Sequence, residues 1–186
     1  MDRRELQDAL CRYRSRFPEE GAYARRACRL LSESPRCFDR EAEGLHVTAS
    51  SWVLNPRRDA TLLVLHRKLD QWFQPGGHAD GDEDVRRVAV RECSEETGIP
   101  IAGIRLLCPE VFDIDIHRIP AMRHDPEHEH LDIRFVVEID DTLPLAGNEE
   151  SYELRWVPLR EVGRYNRERS LHRLVVKSAL WHRRLT

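Results

Sequence analysis

The chain has 186 residues, 40% of them apolar and 34% charged, with a formal net charge of −3. That length holds one domain with a sizeable core and one appendage. The near-balanced charge disfavours long nucleic acid and anionic membranes as partners, and the most apolar internal run, residues 60–65, is too short to span a bilayer.

Residues 3–33 read as two helical pieces. Leu6, Leu10 and Tyr13 recur at helical spacing, and Pro18 opens a second piece carrying Tyr23, Ala27, Leu30 and Leu31. This hairpin is expected to pack on the domain; if the chain forms a homodimer, the hairpin is the surface to look at. After Pro35, residues 46–54 and 61–66 read as strands around an Asn55-Pro56 turn. Residues 72–74 form a short strand that ends at Pro75-Gly76-Gly77. A helix is expected over residues 84–97, stopped by Gly98. Strands near 106–118, 130–139 and 153–157 follow, and an amphipathic helix over 168–183 turns Leu171, Leu174 and Val175 inward. Strands and helices intermingle without a strict βαβα order, so the expected class is α/β, a mixed sheet with helices on both faces. The five cysteines form no CxxC pair, and the charged start lacks the apolar stretch of a signal peptide. Both point to a cytoplasmic protein with reduced thiols.

The most informative segment is Gly77 to Ile99, GHADGDEDVRRVAVRECSEETGI. At about 100° per residue, Val85, Val88 and Ala89 share the inward side of its helix. The same stripe continues into Glu92, Glu96 and, at its edge, Glu95. Carboxylates at that spacing repel one another and carry a desolvation penalty. A hard divalent cation, Mg²⁺ or Mn²⁺, relieves both. Glycines 76 and 77 let the backbone approach closely. Arg91 is read as folding back to Glu83, clamping loop to helix.

This segment resembles the Nudix box, G-x5-E-x7-R-E-U-x-E-E-x-G-U, where U is a bulky apolar residue. Every fixed position matches, with the small Cys93 at the first U. Trp72-Phe73-Gln74-Pro75-Gly76 resembles the strand that leads into the box, and the strand order extends the likeness to roughly residues 45–165. The resemblance implies a Nudix-type α/β/α sandwich, with residues 36–186 as the hydrolase domain and 1–35 as an N-terminal helical extension. It implies hydrolysis of a nucleoside diphosphate linked to another moiety, such as a nucleotide sugar or a nucleoside triphosphate, with Mg²⁺ or Mn²⁺. By the family pattern Glu92, Glu95 and Glu96 bind metal, helped by the Gly76 carbonyl and Glu83. The general base is a box glutamate, here Glu92, or a later one, for which Glu150 is the candidate. A catalytically idle nucleotide-binding module of the same fold ranks below, because idle relatives are expected to lose box glutamates and this chain keeps them.

Residues 110–137 carry a second pattern. Strand alternation puts Asp113, Asp115 and His117 on one face, and His128, His130, Asp132 and Arg134 on one face of the next strand. Leu131, Ile133, Phe135 and Val137 face the core. The polar stripes are read as lining a substrate cleft, with Arg134, His117, His128 and His130 as contacts, or else as a wet, half-exposed surface. A transition-metal site from His128, His130 and an aspartate is the least expected reading. Trp72 is the candidate for stacking on a nucleobase. Trp52, Trp156 and Trp181 are assigned to packing, and His78, directly after Gly77, is read as an exposed loop residue in preference to a contact with a phosphate oxygen.

Overall fold

The computed structural model describes residues 1–42, 44–121, 126–149 and 151–182, with side chains described through residue 180. In chain order the elements are α1 (Arg3–Arg12), α2 (Pro18–Glu33), β1 (Leu45–Leu54), β2 (Ala60–His66), β3 (Gln71–Phe73), β4 (Gly76–His78), α3 (Val85–Thr97), β5 (Arg105–Leu106), β6 (Asp113–Ile119), β7 (His128–Glu138), β8 (Ser151–Pro158), α4 (Val162–Tyr165) and α5 (Arg169–His182). The strands hydrogen-bond in the order β3-β2-β1-β7-β5, with β4 also on β1, β6 on β7 and β8 on β2. The Ser50–Asp132 and Leu54–Ile139 hydrogen bonds advance together along β1 and β7, so those two strands run parallel. The other pairings are antiparallel, which makes the sheet mixed. No described helix is long and apolar enough to cross a membrane.

Contacts divide the chain into two compact units. The first comprises Met1–Ser50, Gly76–Ala89 and Cys108–Phe135. Its helical hairpin starts on a capping box: the Asp2 side chain accepts from the Glu5 N–H, and the Glu5 side chain accepts from the Asp2 N–H. Leu6, Leu10, Ala27 and Leu31 turn inward as expected and Ala24 joins them, while Tyr13, Tyr23 and Leu30 are half-buried. The hairpin is tied to β6 through a buried acid. Glu20 accepts from the Ile114 N–H at 3.3 Å and from the Tyr13 hydroxyl at 2.7 Å. Arg26 adds an ion pair to Glu129 on β7, with one hydrogen bond of 3.1 Å. All five cysteines are free, and the sulfurs of Cys11 and Cys28 lie 2.8 Å apart in the hairpin.

The segment expected to end as a loop at Gly76 and Gly77 is a strand, β4. It pairs antiparallel with β1, placing Gly76 opposite Ser50 and His78 opposite Thr48. A Cβ on Gly76 would stand 2.7 Å from the Ser50 Cα, closer than real Cβ contacts come. Gly76→Ala should therefore push the two strands apart and lower stability by about 1–3 kcal/mol, as overpacking does; urea unfolding measures it. The single strand expected over residues 106–118 is two, β5 and β6. In the first unit β6 pairs with β7 in the register Asp113–Arg134, Asp115–Asp132, His117–His130.

The second unit comprises Ser51–Pro75, Val90–Leu107 and Val136–Thr186. There β2 sits between β3 and β8. Val53, Leu62, Cys93, Ile99, Ile104, Val137 and Ile139 form its core, with Leu154 and Trp156 packed against it. The second half of α3 delivers Cys93 to that core. Burial pushes the Cys93 thiol up to about 12, so it is an inert packing group. The helix ends where Gly98 takes a φ of 71° and its N–H returns to the Ser94 carbonyl at 2.9 Å. Trp52 is buried and donates its indole N–H to Ser178 at 2.7 Å, in keeping with a packing role. The side chain of Trp181 lies outside the described residues.

Candidate active site and a histidine cluster

Helix α3 sorts its glutamates by depth. Glu96 is buried, with 5% of its surface exposed. The Glu92 side chain is 13% exposed and that of Glu95 55%. The inward stripe thus carries two of the three acids, and Glu95 lies at the edge, facing out. Arg91 bridges them: its guanidinium is 2.6 Å from a Glu92 oxygen and 3.4 Å from a Glu95 oxygen. The one cation offsets repulsion between carboxylates that helical geometry forces together. The cation paired with Glu83 is Arg3 of the N-terminal hairpin, at 3.2 Å, a partner 80 residues away that helical periodicity could not indicate.

These donors fit a hard divalent ion. Three carboxylates at i, i+3 and i+4 supply oxygen ligands of the kind Mg²⁺ and Mn²⁺ prefer, and at least one is held away from bulk water. Gly76 lies on β4, where the fit against Ser50 requires a residue without a side chain. Glu150 lies outside the described residues. Its neighbours Gly147, Asn148, Ser151 and Glu153 line an open cavity of about 330 Å³ in the second unit.

Over its central part the polar stripe of β6 and β7 is buried and not a wet surface. Asp113, Asp115, Asp132 and Arg134 are all buried, Arg134 to 2% exposure. The Arg134 guanidinium donates to Asp132 at 2.7 Å, Asp113 at 3.3 Å and Asp115 at 3.4 Å. Ser50 and Thr48 add hydrogen bonds to Asp132 at 2.7 and 3.4 Å. Burial alone would lower the Arg134 pKa; the three aspartates, Asp132 foremost, outweigh it and raise the value. The register places Asp115 directly opposite Asp132, a like-charge pair that Arg134 neutralises.

At the other end of the same stripe the histidines meet. His46 of β1, His78 of β4 and His128 and His130 of β7 form one cluster, with ring centroids 4.8 Å (His46–His130), 4.9 Å (His78–His130), 5.0 Å (His46–His128) and 5.3 Å (His46–His78) apart. His117 of β6 joins at 5.4 Å from His130, with its Nδ1 3.4 Å from Asp115. His78 is therefore a strand residue inside a cluster, not an exposed loop histidine. His46 went unnoticed in the sequence because it opens an ordinary alternating strand. The available signal was its position two residues before Thr48, which faces His78 once β4 is recognised as a strand.

Burial, with the neighbouring Arg40 and His46, holds His78 down to about 4. Burial and the other four histidines push His130 down to about 2. His46 is lowered too, by burial first and His128 second. A hydrogen bond with the Ala42 backbone counters that in part. These rings are neutral in the fold at pH values where the unfolded chain already binds protons. Unfolding free energy should thus hold above about pH 7 and decline as pH falls from about 6.5 towards 4. Urea denaturation at about pH 7 and about pH 5 measures it; equal stability at both would count against a buried neutral cluster.

Trp72 belongs to the second unit. It is half-buried, meets Tyr165 edge-on at 5.4 Å and carries the Arg155 guanidinium over its ring at 5.4 Å.

Comparisons with known proteins match this arrangement to one family. A family model described as NUDIX domain covers residues 44–178. A Mycobacterium tuberculosis protein named "Putative 8-oxo-dGTP diphosphatase 3" is 36% identical over 130 residues, 64% of this chain and 55% of the relative. The "RNA pyrophosphohydrolase" of Sphingopyxis alaskensis is 30% identical over 122 residues, 59% of this chain and 77% of the relative. Among solved structures, the crystal structure of a C. elegans Ap4A hydrolase binary complex shares the fold at a TM-score of 0.59 and 16% identity, covering 73% of this chain and 96% of that one. The chain spans about half the length of the Mycobacterium relative.

Proposed function

The chain belongs to the NUDIX domain family, and we propose that it is a divalent-metal-dependent pyrophosphohydrolase that cleaves a phosphoanhydride bond in a nucleoside diphosphate linked to another moiety. The observation that carries this reading is α3, which keeps every box glutamate and turns Glu96 and Glu92 inward. Relatives named as a diphosphatase and a pyrophosphohydrolase support the same reaction class. Nucleotides bearing a triphosphate or a bridged polyphosphate fall within the proposed substrate range.

Glu92, Glu95 and Glu96 are the proposed ligands for Mg²⁺ or Mn²⁺, and the family pattern adds the Gly76 carbonyl. When bound, such an ion supplies Lewis-acid polarisation of the phosphates and a lowered pKa for water. The protein's part is to hold negative oxygen donors at fixed positions on one helix, with Arg91 keeping Glu92 and Glu95 in register. A carboxylate takes the proton of the attacking water, and Glu92 or Glu150 is proposed for that step. For Arg134 we assign positioning, because three aspartates occupy its guanidinium. Trp72 is the proposed stacking surface for the base and the half-exposed His117 the histidine proposed to contact substrate, whereas His128 and His130, expected as further contacts, pack against each other in the histidine cluster. Residues 1–35 are taken as an extension of a hydrolase domain over 36–186, and the compartment as cytoplasmic.

A panel of nucleoside triphosphates, nucleotide sugars, dinucleoside polyphosphates and 5′-triphosphorylated RNA, incubated with Mg²⁺, tests the reading. Release of phosphate, pyrophosphate or a nucleoside monophosphate from at least one class is expected. Tight binding without release would favour a nucleotide sensor instead.

A further inference from the structure

The histidine cluster is not part of the Nudix box and does not use its chemistry. Ligand-capable nitrogens of His46, His78 and His130 all lie within 4.8 Å of one another. They come from three strands, β1, β4 and β7. His46 is 1% exposed, and among the described residues neither ring nitrogen makes a full hydrogen bond, the Ala42 backbone giving a partial one. An unsatisfied polar group at that depth costs about 1–3 kcal/mol. Apolar side chains would fill the space without that penalty, so the imidazole calls for a partner. His128 adjoins this group, its Nε2 3.1 Å from Nε2 of His130. Two nitrogens bound to one tetrahedral ion at about 2.0–2.1 Å stand about 3.3–3.4 Å apart. The His128–His130 pair is near that separation, and the ligand nitrogens of His46, His78 and His130, within 4.8 Å of one another, would draw together around an ion.

We propose that His46, His78 and His130, with His128 as fourth ligand, form a transition-metal site whose preferred occupant is Zn²⁺. Neutral imidazole suits Zn²⁺ and its neighbours in the first transition row, while Mg²⁺ takes oxygen donors and retains its water. The chain thus offers two chemically distinct cation sites, carboxylate on α3 and imidazole across β1, β4 and β7. Asp80 and Asp115 supply nearby negative charge, against which the positive charge of Arg40 works. A metal there would cross-link β4 to β1 directly beside Gly76 and Gly77, and so act as a structural clamp. The assignment is independent of the hydrolase reading.

The test uses the full chain, stripped with a chelator and then held in excess Mg²⁺ so that the oxygen sites are filled. Titration with Co²⁺ should give the visible absorption of a tetrahedral nitrogen site at one equivalent per chain, and Zn²⁺ should displace it. His130→Asn and His78→Asn should each weaken Zn²⁺ binding by more than the ~10–100-fold typical of losing a ligand's hydrogen-bond partner. Glu96→Gln should leave it unchanged. X-ray absorption of the Zn²⁺-loaded wild-type chain needs no variant, and should show at least three imidazole nitrogens. An all-oxygen shell, absence of the cobalt spectrum, or Zn²⁺ binding lost in Glu96→Gln and kept in His130→Asn would each overturn the proposal.

Discussion

Glutamine in place of Glu96 should lower turnover by about 10³-fold, if one charged ligand contributes ~4 kcal/mol of transition-state stabilisation. Stability should be unchanged or slightly higher. Glu96 sits at 5% exposure on the inward face of α3. The amide has the same shape and keeps one oxygen, but it lacks the charge that holds a divalent ion. Removing a buried charge also removes its desolvation cost. Loss of activity with retained stability therefore separates a metal ligand from a residue that merely packs the helix. Glu95→Gln should behave alike in turnover despite its exposure, and it gives up only a surface contact of 3.4 Å to Arg91. Steady-state rates in Mg²⁺, with circular dichroism and urea unfolding of each variant, make the comparison. Full activity in both variants would remove the proposed mechanism.

Arg134→Met should cost about 3–5 kcal/mol of stability, the range for removing one partner from a buried ion pair. The substitution keeps much of the side chain's length and takes away the guanidinium that Asp113, Asp115 and Asp132 share. Asp115 and Asp132 then face each other across the β6–β7 pair without the Arg134 charge beside them. Urea unfolding of both proteins near neutral pH measures the loss. A loss below about 1 kcal/mol would mean that the network is solvated rather than buried.

Much of this was legible in the sequence, for identifiable reasons. The helix α3, its C-terminal stop at Gly98 and the inward turn of Glu92 and Glu96 follow from a 3.6-residue period and a left-handed glycine, both local properties. The core face of β7 follows from alternation in the same way. What the sequence hid was the fate of the opposite face. Alternation says that Asp132 and Arg134 point away from Leu131 and Ile133, not whether water or other strands lie there. In the fold both faces of β7 are covered, and the polar residues become a buried network. The histidine cluster was hidden for the same reason. His46, His78 and His130 are far apart in sequence, and only the pairing of β1, β4 and β7 brings their rings together. The strand β4 was missed because its glycines look like a loop, although their lack of a Cβ is what lets β4 lie against Ser50. Glu83 was assigned to Arg91 within its own segment, whereas the hairpin brings Arg3 to it.

The most direct measurement is hydrolysis of the best panel substrate in ¹⁸O-labelled water with Mg²⁺, comparing wild type with Glu96→Gln. Attack by water on phosphorus predicts one label in a single phosphate-bearing product, at a rate that requires the divalent ion and collapses in the variant. Product without label, or labelled product formed equally well by Glu96→Gln, would contradict the account.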